Sequence, residues 1–143
     1  MRIFAKNVQS IYSDVREIEL LETLDDIEWD ILLLSETWRK TKQEIWKTER
    51  GHLFLGSGWD AGHKGVAILI HRRHTKTFKG FMPESKRICA VDFDIFGERI
   101  RIISVYLPDG SYDDVTIEDT YHKLDQLCDG AETKHNKLIL GVD

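Results

Sequence analysis

Two short runs of unbroken aliphatic residues, Ile31-Leu32-Leu33-Leu34 and Val66-Ala67-Ile68-Leu69-Ile70, limit what this chain can fold into more than any other feature. Neither alternates with polar residues, so neither has a side to offer to water. Runs of four or five aliphatics suit strands covered on both faces, in the middle of a layered domain. They are far too short for a bilayer crossing, which takes about 20 apolar residues. The first run ends on Ser35-Glu36, and three other apolar runs stop in the same manner on Asn7, Tyr106 and Asp143.

Patterning between these points predicts an alternation of strands and helices. Residues 2–8 read as a strand, followed by a helix with Ser13 as N-cap, Asp14 and Glu17 in its first turn, and Val15, Ile18, Leu21 and Leu24 as its buried stripe. Residues 39–50 are dense in charge without a period and read as an exposed loop or short helix. A short strand over 52–55 leads to a loop over 56–65 with four glycines, then the apolar run from Val66 and a strand over 78–82 closed by Pro83. The clearest hairpin pairs 87–95 with 99–107: Cys89, Val91, Phe93 and Ile95 alternate with Asp92 and Asp94, and Phe96-Gly97-Glu98 turns the chain. A second helix is expected to be capped by Thr116, with Asp119 three residues on and Ile117, Tyr121, Leu124 and Cys128 facing inward. The last strand is 137–143. There are no repeats and no low-complexity segment.

Composition narrows the class. With 41% hydrophobic residues, 10 Gly and 2 Pro in 143 residues, the chain is neither disordered throughout nor fibrous. The length suits one soluble domain. The start, Met1-Arg2-Ile3-Phe4-Ala5-Lys6, meets a lysine before a signal-peptide core could form, and Cys89 and Cys128 have no metal or redox spacing. An intracellular setting, nuclear or cytoplasmic, without membrane association, is therefore the expectation.

The formal net charge of -5 conceals a segregation: residues 1–38 carry -6, residues 39–87 carry +8 and residues 88–143 carry -7. The basic middle, which contains Lys64, Arg72 and Arg73, is compatible with a face that meets phosphate, although charge runs are more often plain solvated surface. Gly56, Gly58 and Gly62 resemble a phosphate loop in composition only, because a strand follows them and Lys64 is followed by Gly. His63, His71 and His74 have no fourth ligand at zinc spacing. The four tryptophans read as core or rim packing.

If the four strand tips converge, Glu36 and Asp143 would bring two carboxylates, Asn7 an amide and Tyr106 a phenol to one pocket. Mg²⁺ is held by such oxygen sets together with water and a substrate phosphate. The plain alternative is that a polar residue at a strand end marks where burial stops.

Five segments in order carry a resemblance: Lys6-Asn7-Val8, Leu33-Leu34-Ser35-Glu36-Thr37, the strand from Gly65 through Ile70, Ser104-Val105-Tyr106-Leu107-Pro108 and Ile139-Leu140-Gly141-Val142-Asp143. In these the chain resembles the N-terminal part of the endonuclease/exonuclease/phosphatase family. That is the metal-dependent phosphodiesterase fold of apurinic/apyrimidinic endonucleases, pancreatic deoxyribonuclease and non-LTR retrotransposon endonucleases, and the retrotransposon branch is the most similar. The resemblance implies an α/β fold, a layered α/β/β/α sandwich of the deoxyribonuclease I-like type, with residues 1–143 as the N-terminal part of one such domain. It implies Mg²⁺, or alternatively Mn²⁺, as cofactor, with Glu36 as principal metal ligand and Asn7 holding metal or the scissile phosphate. Tyr106 would bond a phosphate oxygen and Asp143 would position or activate the attacking water, while Lys64, Arg72 and Arg73 would meet the DNA backbone. The implied parent is a DNA endonuclease of retrotransposon type, in one polyprotein with a reverse transcriptase domain. Lipid or inositol phosphate phosphatases and phosphodiesterases share these first-half motifs, and a non-catalytic remnant or interaction module is the reading from another class.

Three departures shape what is expected of residues 1–143 alone. Gln9 and Ser10 follow Asn7 where relatives carry an acidic or amide residue and then Gly, and Asp109 follows Pro108 where Asn is frequent. The chain stops at Asp143, before the family's following Asn and its downstream Asp-His pair. Little hydrolysis by 1–143 alone and an unpaired sheet edge are the corresponding expectations.

Overall fold

The computed structural model describes residues 1–60, 64–95, 97–108, 110–134 and 137–143. The chain order is β1 (Ile3–Asn7), α1 (Asp14–Asp25), β2 (Ile31–Ser35), β3 (Glu44–Lys47), β4 (Leu53–Ser57), β5 (Val66–Ile70), a 3₁₀ turn (Arg72–His74), β6 (Phe78–Pro83), β7 (Ile88–Ile95), β8 (Glu98–Val105), α2 (Asp114–Lys134) and β9 (Lys137–Val142). One sheet has the order β1-β2-β5-β4-β3 and the other β6-β7-β8-β9. Each is antiparallel except for one parallel pair at one edge, β1 with β2 and β8 with β9. The sheets pack face to face with a helix on each outer face, which is the layered α/β/β/α sandwich expected.

The aliphatic runs take the places their composition demands. Every residue of β2, β4 and β5 is buried. Ile31, Leu33, Leu55, Ile68 and Ile70 point between the sheets to meet Cys89, Val91, Phe93, Ile100 and Ile102. The alternate side chains Leu32, Leu34, Ala67 and Leu69 face α1 with Leu24, Trp29 and Ile11. On the far side Ile88, Ala90, Ile103 and Val105 lie under Leu124 and Leu127 of α2. A strand between two cores has no polar face, and the sequence of each run follows from that.

Several local expectations are corrected. Residues 44–47 form strand β3, where a loop or short helix was expected. Its Trp46 stacks on Phe54 with ring centroids 4.6 Å apart, and Arg39 binds Glu44 through two nitrogens at 2.8 Å, so pairing with β4 holds a segment whose charge hid its alternation. In α1, Ser13 does cap, its Oγ accepting from Arg16 N at 3.3 Å. Val15 and Ile18 are 64% and 53% exposed, however, and the buried face runs through Leu20, Leu21 and Leu24. In α2 the cap is Asp113, whose Oδ1 accepts from Thr116 N at 2.7 Å. Its buried stripe is Thr120, Leu124, Leu127 and Ala131, leaving Tyr121 exposed. Ser57, expected in a loop, is the last residue of β4. The phosphate-loop comparison and the turn expectation fall partly on Gly62 and Phe96, outside the described residues. Among the described residues no helix is long and apolar enough to cross a membrane.

Candidate active site at the strand tips

The two parallel pairs decide where the polar tips go. Because β1 runs with β2 and β8 with β9, the C-terminal ends of all four strands reach the same end of the sandwich. Asn7 pairs with Ser35 in register, so Asn7 and Glu36 emerge together. Beyond β9 the ladder continues for one step in each direction, Asp143 N to Val105 O and Leu107 N to Asp143 O, both 2.9 Å, which fixes Asp143 beside the end of β8.

These side chains are in direct contact. The amide nitrogen of Asn7 donates to Glu36 Oε2 and, at 2.9 Å, to Asp143 Oδ2, while its oxygen accepts from Gln9 N at 3.1 Å. Ser35 Oγ donates to the same Asp143 oxygen at 2.5 Å. One amide thus ties a carboxylate of one sheet to a carboxylate of the other. A cleft of about 110 Å³ opens beside them, lined by Asn7, Ser35, Ser104 and Asp143. Gly141 lies at its floor, where an added Cβ would stand 2.2 Å from Leu33 Cδ1. Tyr106 belongs to the same field. Its phenol is pushed up from the ordinary value by burial and by the negative charge of Glu36, with Asp143 adding to it, so it stays protonated and able to donate.

Backbone strain gathers around this end. Gln9, Ser10, Glu36, Trp38 and Lys64 all adopt positive φ, between +47° and +92°, which side chains with a Cβ seldom do. Backbone bonds hold these residues in place: Ser10 N to Glu36 O (2.8 Å), Thr37 N to Gly65 O (3.2 Å) and Trp38 N to Lys64 O (2.8 Å). Gly65 itself has φ +93°, and a Cβ there would meet Thr37 Oγ1 at 2.5 Å, so a glycine is required where the loop crosses behind Glu36.

Asn7, Glu36, Tyr106 and Asp143 are therefore brought together. Lys64 lies on the adjoining rim, its Nζ 4.7 Å from the ring centroid of Tyr112. Arg72 and Arg73 are not near: Val66 of β5 is level with Ser35, but Ile70 is level with Ile31, so the 3₁₀ turn after β5 sits at the opposite end of the sheet, roughly 15 Å away along the strand. There Arg73 binds Asp30 Oδ1 at 2.9 Å and the Trp29 carbonyl at 2.6 Å, and Arg72 caps the Arg50 carbonyl at 3.2 Å. His74 meets Asp30 at 2.6 Å and His71 packs on Trp29 and His52, a structural cluster rather than a zinc shell; His63 and Asp109 lie outside the described residues. Two contributors escaped sequence reasoning. Ser35 looked like one more strand residue, and Arg87, whose Nη1 donates to the Tyr106 carbonyl at 3.3 Å, looked like the polar start of a hairpin; only the pairing of β2 and of the segment before β7 reveals them.

As a metal site the donors fit a hard cation in kind, two carboxylates with hydroxyl and amide neighbours. Among the described residues no group of three or more His, Cys, Asp or Glu side chains gathers to hold one. Asn7 turns its amide nitrogen toward both carboxylates.

No family model matches this sequence, and no curated protein matches it. Solved structures do. A 3'-5' exonuclease, NExo, from Neisseria meningitidis is 26% identical over 100% of this chain with a TM-score of 0.69. The endonuclease domain of TRAS1, a telomere-specific non-LTR retrotransposon, is 17% identical over 99% with a TM-score of 0.63. An endonuclease/exonuclease/phosphatase family protein from Leptotrichia buccalis is 16% identical over 100% with a TM-score of 0.60. The chain spans 57% of the length of the first two and 66% of the third. With its sandwich topology and its strand tips joined across the two sheets, the chain carries the fold of the endonuclease/exonuclease/phosphatase superfamily and is similar in fold to the TRAS1 retrotransposon endonuclease domain.

Proposed function

We propose that this chain forms part of a Mg²⁺-dependent phosphodiester hydrolase, a DNA endonuclease of the retrotransposon type, with Glu36, Asn7, Asp143 and Tyr106 at its reaction site. The observation that carries the reading is the Asn7 amide bound at once to the carboxylates of Glu36 and Asp143. Two carboxylates from different sheets are kept at a fixed spacing, and nothing in the stability of either sheet requires them there. The likeness to NExo supports a nuclease or phosphatase, and a related structure of that protein holds a product DNA hairpin.

Each residue has a task set by its surroundings. Glu36 and Asp143 would hold the cation, with Mn²⁺ able to replace Mg²⁺; when bound, the metal supplies charge neutralisation on a non-bridging phosphate oxygen. Asn7 spaces the two carboxylates. Asp143, oriented by Ser35, accepts a hydrogen bond from the attacking water and aligns it with phosphorus. Tyr106, kept protonated by its setting, donates to a phosphate oxygen as charge develops there. Lys64 on the rim meets the DNA backbone.

The test is nicking of supercoiled plasmid by the full-length protein that contains this chain, with inositol phosphate release assayed in parallel. Glu36→Gln is expected to lower nicking at least about 1000-fold and Ser35→Ala about 10-fold, with EDTA abolishing it. Nicking that survives Glu36→Gln, or release of inositol phosphate without nicking, would overturn the reading.

A further inference from the structure

Buried guanidinium groups ordinarily have all their donors engaged. Arg87 is 3% exposed, and although its Nη1 donates to the Tyr106 carbonyl at 3.3 Å, its Nε and Nη2 are buried without a hydrogen-bond partner. Two lysines stand beside it. Lys86 Nζ is 3.6 Å from the ring centroid of Trp59, and Lys64 Nζ is 5.4 Å from the same ring and 4.7 Å from that of Tyr112. The Arg87 guanidinium lies 4.5 Å from the Tyr112 centroid and 5.3 Å from that of Tyr106. Among the described residues no carboxylate makes a direct ion pair with any of the three cations, and Asp60 acts on Lys86 only from farther off.

Three like charges held together, with only the more distant Asp60 carboxylate acting on Lys86 among the described residues, cost stability, and an anion recovers it. Lys86 records the strain: burial first, then Lys64 and Arg87, push its ammonium below the ordinary value. The Tyr112 phenol, drawn down from its ordinary value by Lys64 and Arg87, stands beside both cations where an anion would be held. The cluster is also tied to the reaction site. Gly65 N bonds Lys86 O at 3.0 Å, Trp38 N bonds Lys64 O at 2.8 Å and Tyr106 N bonds Arg87 O at 2.8 Å, so each cation sits on backbone that is joined to the segment carrying Glu36 or Tyr106.

We propose that Lys64, Lys86 and Arg87, with the rings of Trp59 and Tyr112, form a second phosphate subsite that holds the backbone of a single nucleic-acid strand beside the reaction site. The inference rests on the phosphodiester hydrolase reading and names how its substrate is gripped. An entering phosphate displaces the Tyr112 phenol from Lys64 and Arg87, and the aromatic rings take a neighbouring base by stacking, which a single strand permits and a paired duplex does not. Cations alone would serve any phosphate ester; the rings select a nucleotide.

Binding of a fluorescein-labelled ten-nucleotide oligo-dT to the full-length protein that contains this chain, in EDTA, followed by anisotropy over a range of NaCl concentrations, tests this without turnover. Lys86→Ala, at a half-buried position, is expected to weaken binding about five-fold and to lower the log–log salt slope by about 1. Arg87→Lys, checked for folding by its melt, is expected to weaken it about ten-fold. Trp59→Leu should weaken it about three-fold with the salt slope unchanged, and Tyr112→Phe should bind at least as tightly as the wild type. Wild-type affinity in both Lys86→Ala and Arg87→Lys, or no oligonucleotide binding by the wild type, overturns the subsite. Inositol trisphosphate bound as tightly as the oligonucleotide, with no effect of Trp59→Leu, overturns its assignment to nucleic acid. Because the hydrolase reading is tested by nicking and this subsite by metal-free binding, each can fail while the other stands.

Discussion

Asn7 shows how much one amide can settle. An aspartate there would set three carboxylates against one another, and a leucine would leave Glu36 and Asp143 without a common donor; the amide alone offers hydrogens to both and an oxygen to Gln9 N. At the opposite end of the sheets, a second polar cluster governs how the fold answers pH. His52 is buried, its Nδ1 accepts from Arg72 N at 3.0 Å, and burial, with the neighbouring His71 and Arg72 charges, lowers its pKa from 6.5 to about 4. In the unfolded chain the imidazole takes a proton near 6.5, so between about pH 6.5 and 4 the unfolded state binds more protons and is favoured. Stability should therefore fall by up to about 3 kcal/mol as pH drops through that window, with His71 shifted in the same direction. Urea melts at pH 7 and pH 4.5 would measure the fall. His52→Asn, which keeps an acceptor for Arg72 N, should remove most of it; an unchanged difference between the two pH values would assign the effect elsewhere.

At the scale of elements, the aliphatic runs were legible because burial on both faces leaves a strand no other composition. The polar tips were legible for a related reason: Asn7, Glu36, Tyr106 and Asp143 each interrupt an apolar run, and parallel pairing carries them to one end. The helix faces were not. In α1 the candidate stripe through Val15 and Ile18 and the true one through Leu20, Leu21 and Leu24 differ by a small rotation that only the sheet beneath decides. β3 was hidden because its alternation, Ile45 out and Trp46 in, needs β4 beside it before it has a meaning. Ser35 and Arg87 were invisible as site residues because their importance lies in register. Register also makes Gly141 a requirement. It pairs with Ser104 on β8 and faces Leu33 of the opposite sheet, 2.2 Å from where its Cβ would be. Leu33 is 3% exposed and cannot turn away freely. Gly141→Ala is expected to cost about 1–3 kcal/mol through overpacking, measured by chemical melts, and the Gly141→Ala/Leu33→Val pair should lose less than the sum of its parts. Strict additivity would show that the two sheets do not touch there.

Among the described residues, the two flanks of the sandwich differ in how their edge strands are protected. β3 and β6 close the far edges with short or bulged strands, whereas β1 and β9, the other two edges, lie on the same side of the sandwich. Among the described residues neither has a partner on its outer side. Phe4, Leu138, Leu140 and Val142 are 42%, 40%, 43% and 49% exposed there, so unused backbone donors and acceptors lie next to apolar side chains. Such an edge pairs with whatever strand it meets, and a net charge of only -5 gives weak protection. Residues 1–143 alone are therefore expected to self-associate through this flank, with light-scattering mass rising above 16.7 kDa as concentration increases. Leu140→Lys places a charge on the open face without entering the core, and it should return the mass toward that of one chain. A wild-type chain that stays monomeric at high micromolar concentration, with a cooperative melt, would mean that the flank is protected by its own twist, and that the two edges cost the isolated fold little.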